Sequence, residues 1–124
     1  MEVIDTFAWI EYFSGTDRGA KAKPYIEKGD SITPSVVVAE LVDKCTREGT
    51  DPAERLKFVR SKTSIAQLDY ELAEAAGMMR AERASKVKGW GMIDSCILAT
   101  ARARGLKVVT GDSHFATFPD AIMI

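Results

Sequence analysis

The sequence predicts an α/β protein: a parallel sheet with helices on both faces. Two observations carry this. Short strand-like runs alternate with helical patterns from one end of the chain to the other. Residues 90–112, WGMIDSCILATARARGLKVVTGD, read as a complete helix, Gly turn and strand. In such sheets crossovers are right-handed, and ligands bind at the carboxyl ends of the strands, where the strand order reverses.

Val3-Ile4-Asp5 is the first strand. Thr6 is placed to cap a helix over 7–13 that stops near Ser14-Gly15 and is apolar enough to be largely buried. Asp17 opens a more polar helix ending at Gly29, which Pro24 is expected to kink or split. Ser31-Ile32-Thr33 is the second strand, and Pro34-Ser35 reads as a turn and cap into the helix VVVAELVDKCTREG. Asp51-Pro52 starts the next helix in the usual cap-then-proline order. Residues 64–68 form a third strand, Asp69 caps a helix from 70 to about 85, and 86–89 are loop. The helix over about 92–104 ends in Arg102, Arg104 and Gly105, a basic last turn and a Gly stop. A buried strand follows at 107–112, and 121–124 is a last strand at the sheet edge.

Composition is that of one globular domain spanning 1–124, with 46% hydrophobic and 28% charged residues. A net charge of −1 gives no general nucleic-acid signal, so any such binding must come from local patches. Cys45 and Cys96 lie in helical, apolar surroundings and read as small buried hydrophobes in a reducing compartment. The start MEVID has no basic leader, and no apolar run reaches membrane-spanning length. The expectation is therefore a cytoplasmic protein with no membrane partner.

Geometry then gathers the acids. A helix over 92–104 is roughly 20 Å long at ~1.5 Å per residue. The strand over 107–112 is also roughly 20 Å at ~3.3 Å per residue. Running antiparallel, the two bring Asp94 level with Asp112. Asp5 ends the first strand, and Glu40 lies in the second turn of the helix after the second strand. All four acids fall at the carboxyl end of the sheet, three of them inside apolar sequence. Clustered carboxylates repel and raise one another's pKa values, which a divalent cation relieves. Oxygen ligation without a His or Cys cluster suits Mg²⁺ or Mn²⁺ rather than Zn²⁺. The implied chemistry is metal-assisted phosphodiester hydrolysis. Each acid also has a simpler role open to it. Asp5 can cap a helix, Asp94 can favour a helix N-terminus, Asp112 can serve a turn, and Glu40 can pair with Lys44.

The stretches IDTFAWIEYF, SVVVAELVDK, Gly91-Met92-Ile93-Asp94-Ser95 and VVTGDSHF together resemble the PIN-domain ribonucleases, and among them the VapC-type toxins of toxin–antitoxin pairs. The resemblance spans essentially the whole chain. It implies a three-layer α/β/α fold with about five parallel strands in the order 3-2-1-4-5. It also implies Mg²⁺- or Mn²⁺-dependent endoribonuclease activity, an RNA substrate, a homodimer, and inhibition by a VapB-type antitoxin. By position, Asp5, Glu40, Asp94 and Asp112 match the catalytic, metal-holding acids. Thr6 and Thr110 match supporting hydroxyl residues. Many relatives carry a further acid two residues after the last one, where this chain has His114, its only histidine. A lone loop histidine is expected at the surface, with a scissile phosphate as its functional alternative.

RNA needs a basic approach, and Arg80, Arg83, Lys86 and Lys88 lead straight into the acidic helix. Arg55, Lys57, Arg60 and Lys62 read as a solvated helix face. Trp9 and Trp90 are expected in the core, with base stacking open for Trp90. The first two helices and the apolar side of 36–45 are open as core or as a dimer or antitoxin interface. Competing functions have weaker support. A receiver-type phosphotransfer domain wants adjacent acids after the first strand, and a haloacid-type phosphatase wants Asp-x-Asp; Asp5-Thr6-Phe7 offers neither. A PIN-like RNA-processing nuclease outside any toxin pair, or a scaffold that binds without cutting, remains the alternative.

Overall fold

The computed structural model describes residues 1–124. Its five strands are β1 (Val3–Ile4), β2 (Ile32–Pro34), β3 (Ser64–Ala66), β4 (Val108–Thr110) and β5 (Ala121–Met123). They form one parallel sheet in the order β3-β2-β1-β4-β5. β1 is central: Val3 is in register with Ile32 on one side and Val108 on the other. The order reverses between β1 and β4, so their carboxyl ends flank the crevice where doubly wound sheets bind ligands.

Six helices complete the three layers: α1 (Thr6–Ser14), α2 (Asp17–Glu27), α3 (Ser35–Arg47), α4 (Ala53–Lys62), α5 (Tyr70–Arg83) and α6 (Met92–Ala103). A single 3₁₀ turn, Ser113–Phe115, follows β4. Val3, Ile4, Val108 and Val109 of the sheet are fully buried with Trp9, Ile97, Leu98 and Phe115. Both strands flanking the crevice are therefore apolar throughout, as a sheet covered on both faces requires. Trp9 donates to the Thr33 hydroxyl at 3.1 Å and Trp90 to that of Ser95 at 2.7 Å. Each indole N–H is thus satisfied inside the core, which settles both tryptophans as packing residues. On α3, Val37, Leu41 and Cys45 are buried, so that apolar stripe is core. Both cysteines are free. No helix is long and apolar enough to cross a membrane.

Several local expectations are corrected. Thr6 does not cap α1; it is the first helical residue, and Asp5 is the cap, accepting the Thr6 N–H at 2.7 Å. β2 passes into α3 with no intervening turn. Ser35 opens that helix and its hydroxyl accepts the Leu68 N–H at 3.1 Å instead of capping. Pro24 does not split α2, which is a single element from Asp17 to Glu27. The carbonyl deprived of its partner belongs to Ala20, which is exposed to water, while Ala22 and Ile26 anchor the helix on either side of the proline. The third, fourth and fifth strands are shorter than the sequence patterns suggested, three residues each.

Candidate active site

Each of the four acids is positioned by an element it also helps to build. Asp5 leaves β1 and caps α1; its backbone N–H extends the sheet to the Val109 carbonyl at 3.1 Å. Its Oδ1 accepts the Thr6 N–H and its Oδ2 accepts the Thr110 hydroxyl at 2.6 Å. The residue is only 5% exposed. Burial pushes its carboxyl up to about 7; the two hydrogen bonds oppose this, and the charges of Glu40 and Asp112 add to it.

Glu40 projects from α3 and accepts the Thr6 hydroxyl at 2.5 Å. Burial raises its carboxyl as well, reinforced by Asp94, Asp112 and Asp43. Lys44 does not pair with it; the lysine bonds to Glu48 at 2.7 Å. Asp94 sits in the first turn of α6, where its Oδ2 reaches back to the Gly91 N–H at 3.0 Å. Asp112 caps the 3₁₀ turn through the His114 N–H at 2.9 Å and donates its own N–H to Thr110 Oγ1 at 3.0 Å. Three of the simpler capping roles are therefore real, and they fix the carboxylates in place.

The threonines link the set. Thr6 joins Asp5 to Glu40, and Thr110 joins Asp5 to Asp112. Asp94 and Asp112 meet across the side chain that sequence reasoning assigned to the surface. His114 Nδ1 lies 3.1 Å from Asp94 Oδ2 and 3.6 Å from Asp112 Oδ1. The tight cluster is therefore Asp94, Asp112 and His114, whose ligand atoms all lie within 4.8 Å of one another. Asp5 and Glu40 join it through the threonines and through charge. The signal for His114 was its place two residues after Asp112. The physical reason lies in its neighbour: Phe115 is fully buried against Trp90, with ring centroids 5.1 Å apart, and pins the turn over the start of α6.

Gly111 lets α1 close over the site. A Cβ there would lie 2.3 Å from a ring carbon of Phe7. The basic run is less uniform than the sequence implied. Arg83 is half-buried, its guanidinium 4.4 Å from the Phe118 ring centre, and it packs the core rather than standing free for phosphate. Lys86, 3.7 Å from Glu82, and Lys88 are exposed. Arg55 and Lys62, expected on a solvated face, lie over Phe13 and Phe58. A groove of about 890 Å³ between α3, α4 and β3 is lined by none of the acids.

None of the four carboxylates lies within 4.0 Å of a Lys or Arg nitrogen. A buried carboxyl titrating near neutrality and a neighbouring set of acids with no fixed counter-charge form a donor set that fits Mg²⁺ or Mn²⁺.

The PIN domain family model matches residues 3–121. No curated protein matches the sequence. Among solved structures, a toxin–antitoxin complex from Klebsiella pneumoniae aligns with a TM-score of 0.77 at 22% identity, over 99% of this chain and 97% of that one. The toxin VapC20 of Mycobacterium tuberculosis, described as cleaving the sarcin–ricin loop, aligns at 0.76 and 16% identity, over 96% and 95%. A DNA-bound VapBC from Salmonella typhimurium aligns at 0.72 and 23%, over 100% and 98%. At these identities the likeness is one of fold.

Proposed function

Because the chain belongs to the PIN domain family, we propose that it is a Mg²⁺- or Mn²⁺-dependent endoribonuclease, the VapC-type toxin of a toxin–antitoxin pair. The observation that carries this reading is a set of four carboxylates at the switch point of the sheet with no lysine or arginine to neutralise them. In it Asp5, Glu40, Asp94 and Asp112 hold the cation. Such an ion supplies a water of lowered pKa and stabilises charge on the phosphoryl group.

The protein's own residues divide the work. Asp94 and Asp112 are the more open carboxylates, with side chains 17% and 32% exposed, and they face incoming phosphate. Asp5, held by two hydrogen bonds, anchors the cluster from inside. Thr6 and Thr110 keep Glu40 and Asp5 oriented. Lys86 and Lys88, exposed in the segment that leads into α6, approach the RNA backbone; Arg80 and Arg83, at the end of α5, are assigned a smaller share.

Toxin–antitoxin descriptions attached to the structural relatives support a VapB-type antitoxin as the partner. A homodimer belongs to the same proposal. Tyr70 and Met78 of α5 and Met92 of α6 are apolar side chains exposed on the single chain. The test is incubation of purified, metal-stripped protein with a structured RNA and with a DNA of matching sequence. RNA cleavage on adding Mg²⁺ or Mn²⁺, reversed by EDTA, is expected. A protein that binds RNA but never cuts it in either metal would be a scaffold instead.

A further inference from the structure

His114 is the one side chain of the cluster that is not an acid, and its ring is held with some care. Its backbone N–H is bonded to Asp112 Oδ1, and Phe115 beside it is locked into the core. On the other side the ring lies against Gly89: a Cβ at that residue would stand 2.9 Å from Nε2. Gly89 is also at φ +80°, where side chains are disfavoured, so two constraints keep this position bare. The Nε2 edge therefore meets backbone, and the Nδ1 edge meets the carboxylates.

Adjacent donor atoms around an octahedral ion with bonds of about 2.1 Å stand about 3 Å apart. The spacings from Nδ1 to Asp94 Oδ2 and Asp112 Oδ1, 3.1 and 3.6 Å, are close to that. Resting on the metal-dependent reading above, we propose that His114 is itself a ligand through Nδ1, and that this nitrogen makes the site favour Mn²⁺ over Mg²⁺. Mg²⁺ is hard, binds oxygen and keeps its waters; imidazole nitrogen suits the first-row transition metals. An oxygen-only site offers the two ions little to distinguish them by. Replacing one oxygen with nitrogen strengthens the site for Mn²⁺ alone. The competing role is that of a hydrogen-bond donor that orients Asp94 from outside the coordination sphere.

The chain contains a single histidine, so any imidazole nitrogen coupled to a bound metal is that of His114. The experiment uses the untagged full chain, stripped of metal and loaded with one equivalent of Mn²⁺. Pulsed EPR should detect nitrogen coupled to Mn²⁺, changing in the expected way when histidine is labelled with ¹⁵N. His114→Gln should abolish the coupling. Titration calorimetry should show Mn²⁺ affinity falling about tenfold or more in that variant, with Mg²⁺ affinity changed less than about twofold. Gly89→Ala, which removes no ligand atom, should weaken the coupling by displacing the ring. Wild type that binds Mn²⁺ without nitrogen coupling, or equal losses for both ions in His114→Gln, would overturn this inference and leave the acidic metal site standing. Wild type that binds no Mn²⁺ at all would overturn both. The wild-type spectrum decides the matter even if a variant fails to fold.

Discussion

Replacing Asp5 by Asn should make the metal-free protein more stable at alkaline pH. The substitution keeps the shape and removes the charge. Asp5 is raised from 3.8 to about 7 by the fold. A carboxyl whose folded pKa is raised favours the protonated native state. That contribution is complete below pH 4 and is lost as pH rises through about 7. The difference of about 3 pH units corresponds to a ceiling of about 4 kcal/mol at pH 8. Asn still accepts the Thr6 N–H, but the Thr110 hydroxyl loses its charged acceptor, which costs about 1 kcal/mol. The net gain is at most about 3 kcal/mol, or a rise of roughly 10 °C in Tm for a chain of this size. Thermal unfolding in EDTA from pH 5 to pH 8.5 measures it. Wild type should lose stability across this range, and Asp5→Asn should be nearly flat and overtake it. Adding Mg²⁺ at pH 8 should stabilise wild type and leave the variant almost unchanged. A wild-type curve independent of pH, or a variant less stable than wild type at pH 8, would refute the reasoning.

Three further outcomes follow from the same contacts. Thr110→Val removes a buried hydroxyl that donates to Asp5 and accepts from Asp112; it should cost about 2–3 kcal/mol in urea unfolding, most of it restored by Thr110→Ser. Gly111→Ala places a methyl against the Phe7 ring and should cost about 1–3 kcal/mol, with partial recovery when Phe7→Leu is added. Reversing Lys86 and Lys88 to Glu should weaken RNA binding and reduce its salt slope by roughly one unit, measured by fluorescence anisotropy, while Arg83→Glu should mainly destabilise the fold.

The alternation of strand-like and helical runs sufficed for the sheet and its helices, because each strand of the central pair is apolar throughout and each helix begins or ends on recognisable residues. Asp69 shows this well: it was expected to cap α5 and does, through the Leu72 N–H at 2.8 Å. Misplaced details turn on choices between neighbouring residues. Asp5 and Thr6 can each cap α1, and the decision comes from Glu40, thirty-four residues away, which takes the Thr6 hydroxyl. Pro24 is tolerated because its lost hydrogen bond faces water, a fact of burial rather than of local propensity. The acids were legible because Asp5, Asp94 and Asp112 lie at ends of elements whose directions the topology dictates. His114 and Arg83 were not, since each is placed by an aromatic contact: Phe115 on Trp90 for the histidine, Phe118 under the guanidinium for the arginine. Nothing in the local sequence states which way such a turn packs.

The central claim is that these carboxylates hold a metal that cuts RNA. Asp94→Asn tests it most directly, because the amide oxygen can still accept the Gly91 N–H that secures the start of α6. Cleavage of a structured RNA should be measured at saturating protein across a Mg²⁺ titration, with circular dichroism of both proteins as the control for folding. The account predicts metal-dependent cleavage by wild type, and at least a hundredfold slower cleavage by a folded Asp94→Asn at every Mg²⁺ concentration, on the order of the loss expected when one main electrostatic group is removed. Equal rates for the two folded proteins, or wild-type cleavage that persists in EDTA, would contradict it.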